Sequence, residues 1–179
     1  EFRRVLFRSQ ELKQYVELEV IGKETKDVAE VLTTRFVITE KSPGVFKARL
    51  VIRGFQEKEK VSGVVALPTV PISSLAFIYA VTHRLHILLA DVRTAFLHVP
   101  VSRKLVIRLP NDVPKNEWGL MPGRAYELRK HAYGLRDASR RFVEYFEALI
   151  MRQGFERVTP GLMKRGRTII CAYVDDLII

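Results

Sequence analysis

Hydrophobic and polar positions change period several times along the chain, and each period predicts an element. Lys47 to Arg53 alternates strictly, with Ala48, Leu50 and Ile52 on one face and Lys47, Arg49 and Arg53 on the other, the pattern of a half-buried strand. Ser73 to His83 is rich in apolar residues and opens on two serines able to cap a helix. Lys104 to Leu109 predicts another strand, stopped by Pro110. Residues 111–123 hold Pro114, Pro122 and two glycines, a loop with Trp118 packed beneath it. The clearest helix follows. Phe142, Tyr145, Phe146, Leu149 and Ile150 fall at i, i+3, i+4, i+7 and i+8, with Asp137 placed as a cap and Gly154 just past the end.

The final block, Thr168 to Ile179, sets Asp175 and Asp176 between two apolar runs. It reads as a hairpin with two carboxylates at the tip. Residues 1–10 mix basic and apolar positions without a clear period and are set apart as a non-native or disordered lead. Residues 11–32 fit either a short helix or an irregular lead-in. No internal repeat or low-complexity tract is present.

Composition narrows the class. A length of 179 residues suits about one domain, and 47% hydrophobic content supports a core. The formal charge of +10 calls for a polyanionic partner, nucleic acid or an anionic membrane. Membrane is disfavoured, because no apolar stretch approaches the roughly 18 residues of a spanning helix. Nor is there an N-terminal signal-peptide core. The single cysteine, Cys171, sits in an apolar run and reads as a small core residue. His83 and His86 have no Cys or third His nearby in sequence, so no zinc site is expected.

Candidate chemistry rests on acids and cations. Two adjacent carboxylates repel unless a cation or a raised pKa relieves them, and a hard divalent ion such as Mg²⁺ suits oxygen ligands. Asp is also a turn former, so the pair alone could simply close a solvated hairpin. A third acid, Asp91, ends another apolar run, His86 to Val92; alone it reads equally as a helix cap. Lys47 and Arg49 form a cationic row suited to phosphate, or the charged face of an edge strand. Arg124, Arg129, Lys130, Arg136, Arg140 and Arg141 cluster around the start of the long helix, with Glu127 and Asp137 as the acids inside the cluster.

In order along the chain, five segments resemble the reverse transcriptase of copia-type LTR retrotransposons. They are Phe46 to Gln56, Pro68 to Leu75, Ala90 to His98, Tyr126 to Phe142, and Tyr173-Val174-Asp175-Asp176 within the last block. The similarity runs from about Thr33 to Ile179 and is far more specific than the acid pair alone. It implies an α+β fold, the fingers and palm of a right-hand polymerase, with an antiparallel ferredoxin-like palm sheet carrying helices on one face and no thumb. It implies an RNA-directed DNA polymerase that uses two Mg²⁺ ions, with Mn²⁺ as a substitute, held by Asp91, Asp175 and Asp176. Lys47, Arg49, Phe96, Tyr133 and Gly134 would contact the dNTP, Phe96 by excluding a 2′-hydroxyl. Tyr173 would stand near the primer terminus, and the charge of the basic cluster, apart from the resemblance, points to Arg136, Arg140 and Arg141 as contacts of primer or an RNA or DNA template. An integrase upstream and a ribonuclease H downstream would complete the polyprotein, in a cytoplasmic particle or the nucleus.

The sequence also departs from that family. Ala138-Ser139 stands where it has Ser-Pro, and Pro160 to Met163 where it has Asp-x-Cys. The chain stops at Ile179, so residues 33–179 read as a partial domain truncated after the catalytic hairpin. Two other readings stay open: a decayed element that keeps the fold without activity, and a non-catalytic RNA-binding module. The module is suggested by Arg53-Gly54-Phe55, a basic-Gly-aromatic stretch, but Gln56-Glu57-Lys58 supplies no second stacking aromatic.

Overall fold

A computed structural model describes residues 2–27, 29–58 and 70–179. Pro68 and Thr69 of the second resembling segment lie outside them. The architecture is α+β, with three α-helices and two five-stranded sheets among the described residues. It divides into two compact units, Glu1–Ser62 with Phe96–Ala138, and Gly63–Ala95 with Ser139–Ile179.

In the first unit, helix α1 (Phe2–Glu17) leads into β1 (Ile21–Glu24), β2 (Val31–Ser42) and β3 (Val45–Ile52), and later β5 (Pro100–Arg108) and β6 (Ala125–Lys130). The strand order is β1-β6-β5-β2-β3. All neighbours pair antiparallel except β2 and β5, which run parallel. The alternation in β3 is realised: Ala48, Leu50 and Ile52 are buried, whereas Lys47 and Arg49 stay partly exposed. β5 starts four residues before the expected strand and ends at Arg108, short of Pro110. Trp118 packs against the core from the following loop.

β3 is an edge, and α1 covers part of it. Glu11 accepts the outward N–H of Leu50 at 3.0 Å, and the Tyr15 hydroxyl donates to the Leu50 carbonyl at 2.8 Å. Backbone groups left bare at an edge invite pairing with another chain; here side chains fill one residue's worth. Leu12 and Tyr15 are fully buried in the same core. Residues 2–10, set apart as a lead, belong to this helix. Phe7 lies 6.1 Å from the Phe46 ring and Arg8 pairs with Asp112 at 3.1 Å. The open choice over residues 11–32 resolves into the end of α1, then β1 and the start of β2.

The second unit holds α2 (Val70–Thr82), β4 (Leu89–Asp91), α3 (Ala138–Arg152, whose first residue falls in the other unit), β7 (Glu156–Thr159), β8 (Leu162–Arg165), β9 (Thr168–Tyr173) and β10 (Asp176–Ile178). Its sheet, β4-β10-β9-β8-β7, is antiparallel throughout. Helix α2 begins three residues before Ser73, because Pro71 falls in the first turn, where its missing N–H is not needed. It ends with Leu85 N–H donating to Ala80 and Arg84 at φ +52°, a left-handed helix end.

One expectation is corrected here: the two helices do not share a face of the sheet. Met163 and Ile170, paired across β8 and β9, form a cluster with Phe155 against which Phe146 and Ile150 of α3 pack. One residue along each strand the side chains point the other way, and there they meet α2. The Cys171 Sγ lies 3.7 Å from the Ser73 hydroxyl, and Lys164 Nζ lies 5.7 Å from the centre of the Tyr79 ring. A strand covered on both sides should read as continuously apolar, as Ile169-Ile170-Cys171-Ala172 does.

Candidate functional site

The acids sit at one end of the second unit's sheet. β4 and β10 pair with Asp176 directly opposite Asp91, followed by Leu177 opposite Ala90 and Ile178 opposite Leu89. Backbone bonds between Leu88 and Ile179, 2.8 and 2.9 Å, continue the ladder. Directly opposed residues project to the same face with Cβ atoms about 5 Å apart. So the fold sets two carboxylates side by side at a place where like charges repel.

Asp175 stands in the two-residue loop between β9 and β10, closed by Tyr173 opposite Asp176. Its carbonyl accepts the Val92 N–H at 2.8 Å, which ties the loop tip to the residue after Asp91. All three acids are exposed, and Tyr173 beside them is 57% exposed. Val174 holds φ +56°, a conformation that tight hairpin loops demand and that a β-branched residue adopts only with about 1–3 kcal/mol of strain. Of the two adjacent acids, Asp176 is the one that faces Asp91 across the ladder.

No three His, Cys, Asp or Glu side chains among the described residues converge into a ready-made metal cage. The donor set is nevertheless that of a hard cation, all carboxylate oxygen and open to solvent. Mg²⁺ is held in this manner, by one or two carboxylates plus substrate phosphates, with no closed protein shell. In ligand type, carboxylate oxygen open to solvent, the acids suit that ion.

The residues expected to meet a nucleotide gather in the first unit. The Arg49 guanidinium lies 5.3 Å from the centre of the Tyr133 ring, and Phe96 meets the same ring edge-on at 5.2 Å. Arg49 Nε is buried without a hydrogen-bond acceptor. Glu11 lies close enough to Lys47 and Arg49 to feel both. Burial pushes its carboxyl up from the usual range, partly offset by the Leu50 N–H and these two cations. Gly134 has φ +96°, and a Cβ there would run into the Ile52 carbonyl oxygen. Ile52 N–H donates to Tyr133 and Gly54 N–H to Gly134, at 2.7 and 3.2 Å, so the Tyr133-Gly134 segment is stitched to the end of β3.

The three arginines expected on primer or template are engaged within the chain. Arg136 donates to the Gly54 and Phe55 carbonyls at 2.9 and 3.1 Å. Arg140 and Arg141 both pair with Glu144, at 2.8 and 3.2 Å. Glu144 lies just past the cluster as the sequence delimited it; its spacing of three and four residues was the available signal. Exposed pairs of this kind are worth only about 0.3–0.5 kcal/mol, a contact that a phosphate can displace.

Sequence reasoning missed a buried ionic network in the first unit. Arg103 donates twice to Asp137, at 2.7 and 3.1 Å, and once to Glu57 at 2.6 Å. The Glu57 carboxylate also accepts the Arg136 backbone N–H at 3.0 Å. His131, fully buried, places Nε2 3.5 Å from Asp137 and Nδ1 3.2 Å from the Val99 carbonyl. Asp137 directly precedes α3, as expected of a cap, yet its carboxylate is committed to Arg103. Burial pushes that carboxyl up, but the Arg103 hydrogen bonds and charge prevail and hold it at about 2, against 3.8 ordinarily. A carboxyl lowered on folding stabilises above its unfolded value and loses that contribution as pH falls to the folded one. Acid titration of unfolding free energy should therefore show about 2 kcal/mol lost between pH 4 and 2, and Asp137→Asn should remove that component.

Comparison with known proteins gives the family. The family model for reverse transcriptase (RNA-dependent DNA polymerase) matches residues 19–179. A retrovirus-related Pol polyprotein from transposon TNT 1-94 of Nicotiana tabacum is 25% identical over 147 residues, 75% of this chain. The chain spans 11% of that relative's length. With its match covering nearly the whole sequence, the chain belongs to the reverse transcriptase (RNA-dependent DNA polymerase) family.

Proposed function

We propose that the chain is the RNA-directed DNA polymerase region of a copia-type retrotransposon polyprotein, adding deoxynucleotides to a primer 3′-hydroxyl on an RNA or DNA template. The observation that carries this reading is the opposition of Asp91 and Asp176 across β4 and β10, with Asp175 in the adjoining loop. In a reverse transcriptase family member, an exposed acid set at that position has a use that a mere turn does not.

Asp91, Asp175 and Asp176 would hold Mg²⁺. Bound there, the ions would lower the pKa of the primer hydroxyl and neutralise the triphosphate and its pyrophosphate leaving group. The chain's own residues do the rest. Arg49, whose planar guanidinium can clamp phosphate through two donors, and Lys47 attract the triphosphate. Phe96, braced by Tyr133, takes the place beneath the sugar, and Tyr173 stands by the acids where a primer end would arrive. Fingers and palm are the natural assignments for the first and second units.

Phe96 gives the test. In primer extension on an RNA template, the parent polyprotein should add deoxynucleotides and refuse ribonucleotides. Phe96→Ala should raise the ratio of ribonucleotide to deoxynucleotide addition by at least about tenfold. A ratio is independent of how much enzyme is folded, which matters because Phe96 also packs on the core. An unchanged ratio would remove Phe96 from the sugar site, and no extension by the parent would favour the decayed-element reading.

A further inference from the structure

Phe55 is a large aromatic on a surface turn, 72% exposed, and nothing in the polymerase reading uses it. Such a side chain on a mobile loop would need no explanation. This one is held rigidly. The 3₁₀ turn Gly54–Gln56 is closed by Gln56 N–H to Arg53 and Glu57 N–H to Gly54, at 3.0 and 3.1 Å. Gln56 accepts from both the N–H and the hydroxyl of Thr33, at 2.8 and 3.0 Å. Arg136 clamps the Gly54 and Phe55 carbonyls, and Gly54 sits so close to Gly134 that a Cβ would collide with the Gly134 oxygen. Below, Glu57 ties the turn to Arg103 and Asp137. The buried ionic network is thus the pedestal of the turn that lifts Phe55 into solvent.

The surroundings indicate what the ring meets. Phe55 borders an open cavity lined also by Arg35, Arg53 and Gly134. Arg35, Arg53 and the clamping Arg136 are all exposed, and Glu57, the acid two residues after Phe55, is buried and already paired. A preformed aromatic platform rimmed by cations is what an unpaired nucleotide strand requires, since every base offers a face to stack and each phosphate a charge to neutralise. An acidic peptide would use the cations and leave the ring idle.

We infer that Phe55, flanked by Arg35 and Arg53, is a stacking site for single-stranded nucleic acid. The inference rests on the polynucleotide half of the proposed function and is independent of its chemistry. Anisotropy of a labelled oligouridylate of about a dozen nucleotides, without metal or dNTP, reads it directly. Phe55→Ala should weaken binding by about tenfold without altering its salt dependence, and Phe55→Trp should restore it. Arg53→Ala should instead lower the slope of log affinity against log salt by about 0.7, one phosphate on a single strand. Phe55→Ala binding as tightly as the parent would overturn the site, as would an equal loss on polyglutamate. If the parent still bound a primed duplex, the polymerase reading would survive that failure; binding to neither ligand would overturn both.

Discussion

Arg103→Ala is expected to destabilise the protein by about 3–5 kcal/mol, because it strands the Asp137 and Glu57 carboxylates in the interior without their counter-ion. Arg103 is 16% exposed at its side chain, Glu57 3% and Asp137 not at all. Little water is therefore available to take over its role. Against a total of roughly 5–15 kcal/mol for a domain, the loss would leave little margin. Urea unfolding should show a lower midpoint at an unchanged slope. Replacing Arg103, Asp137 and Glu57 together by apolar residues of similar size should recover most of the loss, since desolvation opposes a buried ion network about as strongly as attraction favours it. A single-variant loss below about 1 kcal/mol would mean the pairs behave as surface pairs do.

This network also marks where sequence reasoning stops. Glu57, Arg103, His131 and Asp137 are spread over 81 positions of the chain, and no period links them. The helix start just after Asp137 was legible because such signals are local; the bond of Asp137 to Arg103 is tertiary and leaves no local trace. Helix α1 is similar. Its N-terminal half shows no clean stripe, and its role depends on Glu11 and Tyr15 meeting an edge strand over thirty residues later. By contrast the alternation of β3, the loop after β5 and the hairpin around Asp175 were legible, because each is decided by neighbours in sequence. For the acid site, sequence supplied the residue types but not the register. Which aspartate faces Asp91 depends on how β10 slides along β4, and one residue of slip exchanges the two.

The opposition of Asp91 and Asp176 leads to the second large effect. If the acids hold Mg²⁺, replacing one by Asn keeps the shape and removes the charge. Without metal, Asp176→Asn should even stabilise the fold slightly, by about 0.5 kcal/mol, because like charges opposed across a ladder repel. A variant at least as stable as its parent yet inactive would separate a catalytic acid from a structural one. Template binding should change little, since the cations proposed to carry it lie elsewhere in the sequence.

Primer extension on an RNA template, with dNTPs and Mg²⁺, is the measurement that bears most directly on the acid site, comparing the parent polyprotein with its Asp91→Asn, Asp175→Asn and Asp176→Asn variants. The account predicts extension by the parent and a fall of at least about a hundredfold for Asp91→Asn and Asp175→Asn at undiminished template binding. The Asp176→Asn result reports whether the residue facing Asp91 shares the metal or only supports the site. Extension by Asp91→Asn and Asp175→Asn at the parent's rate would contradict the account.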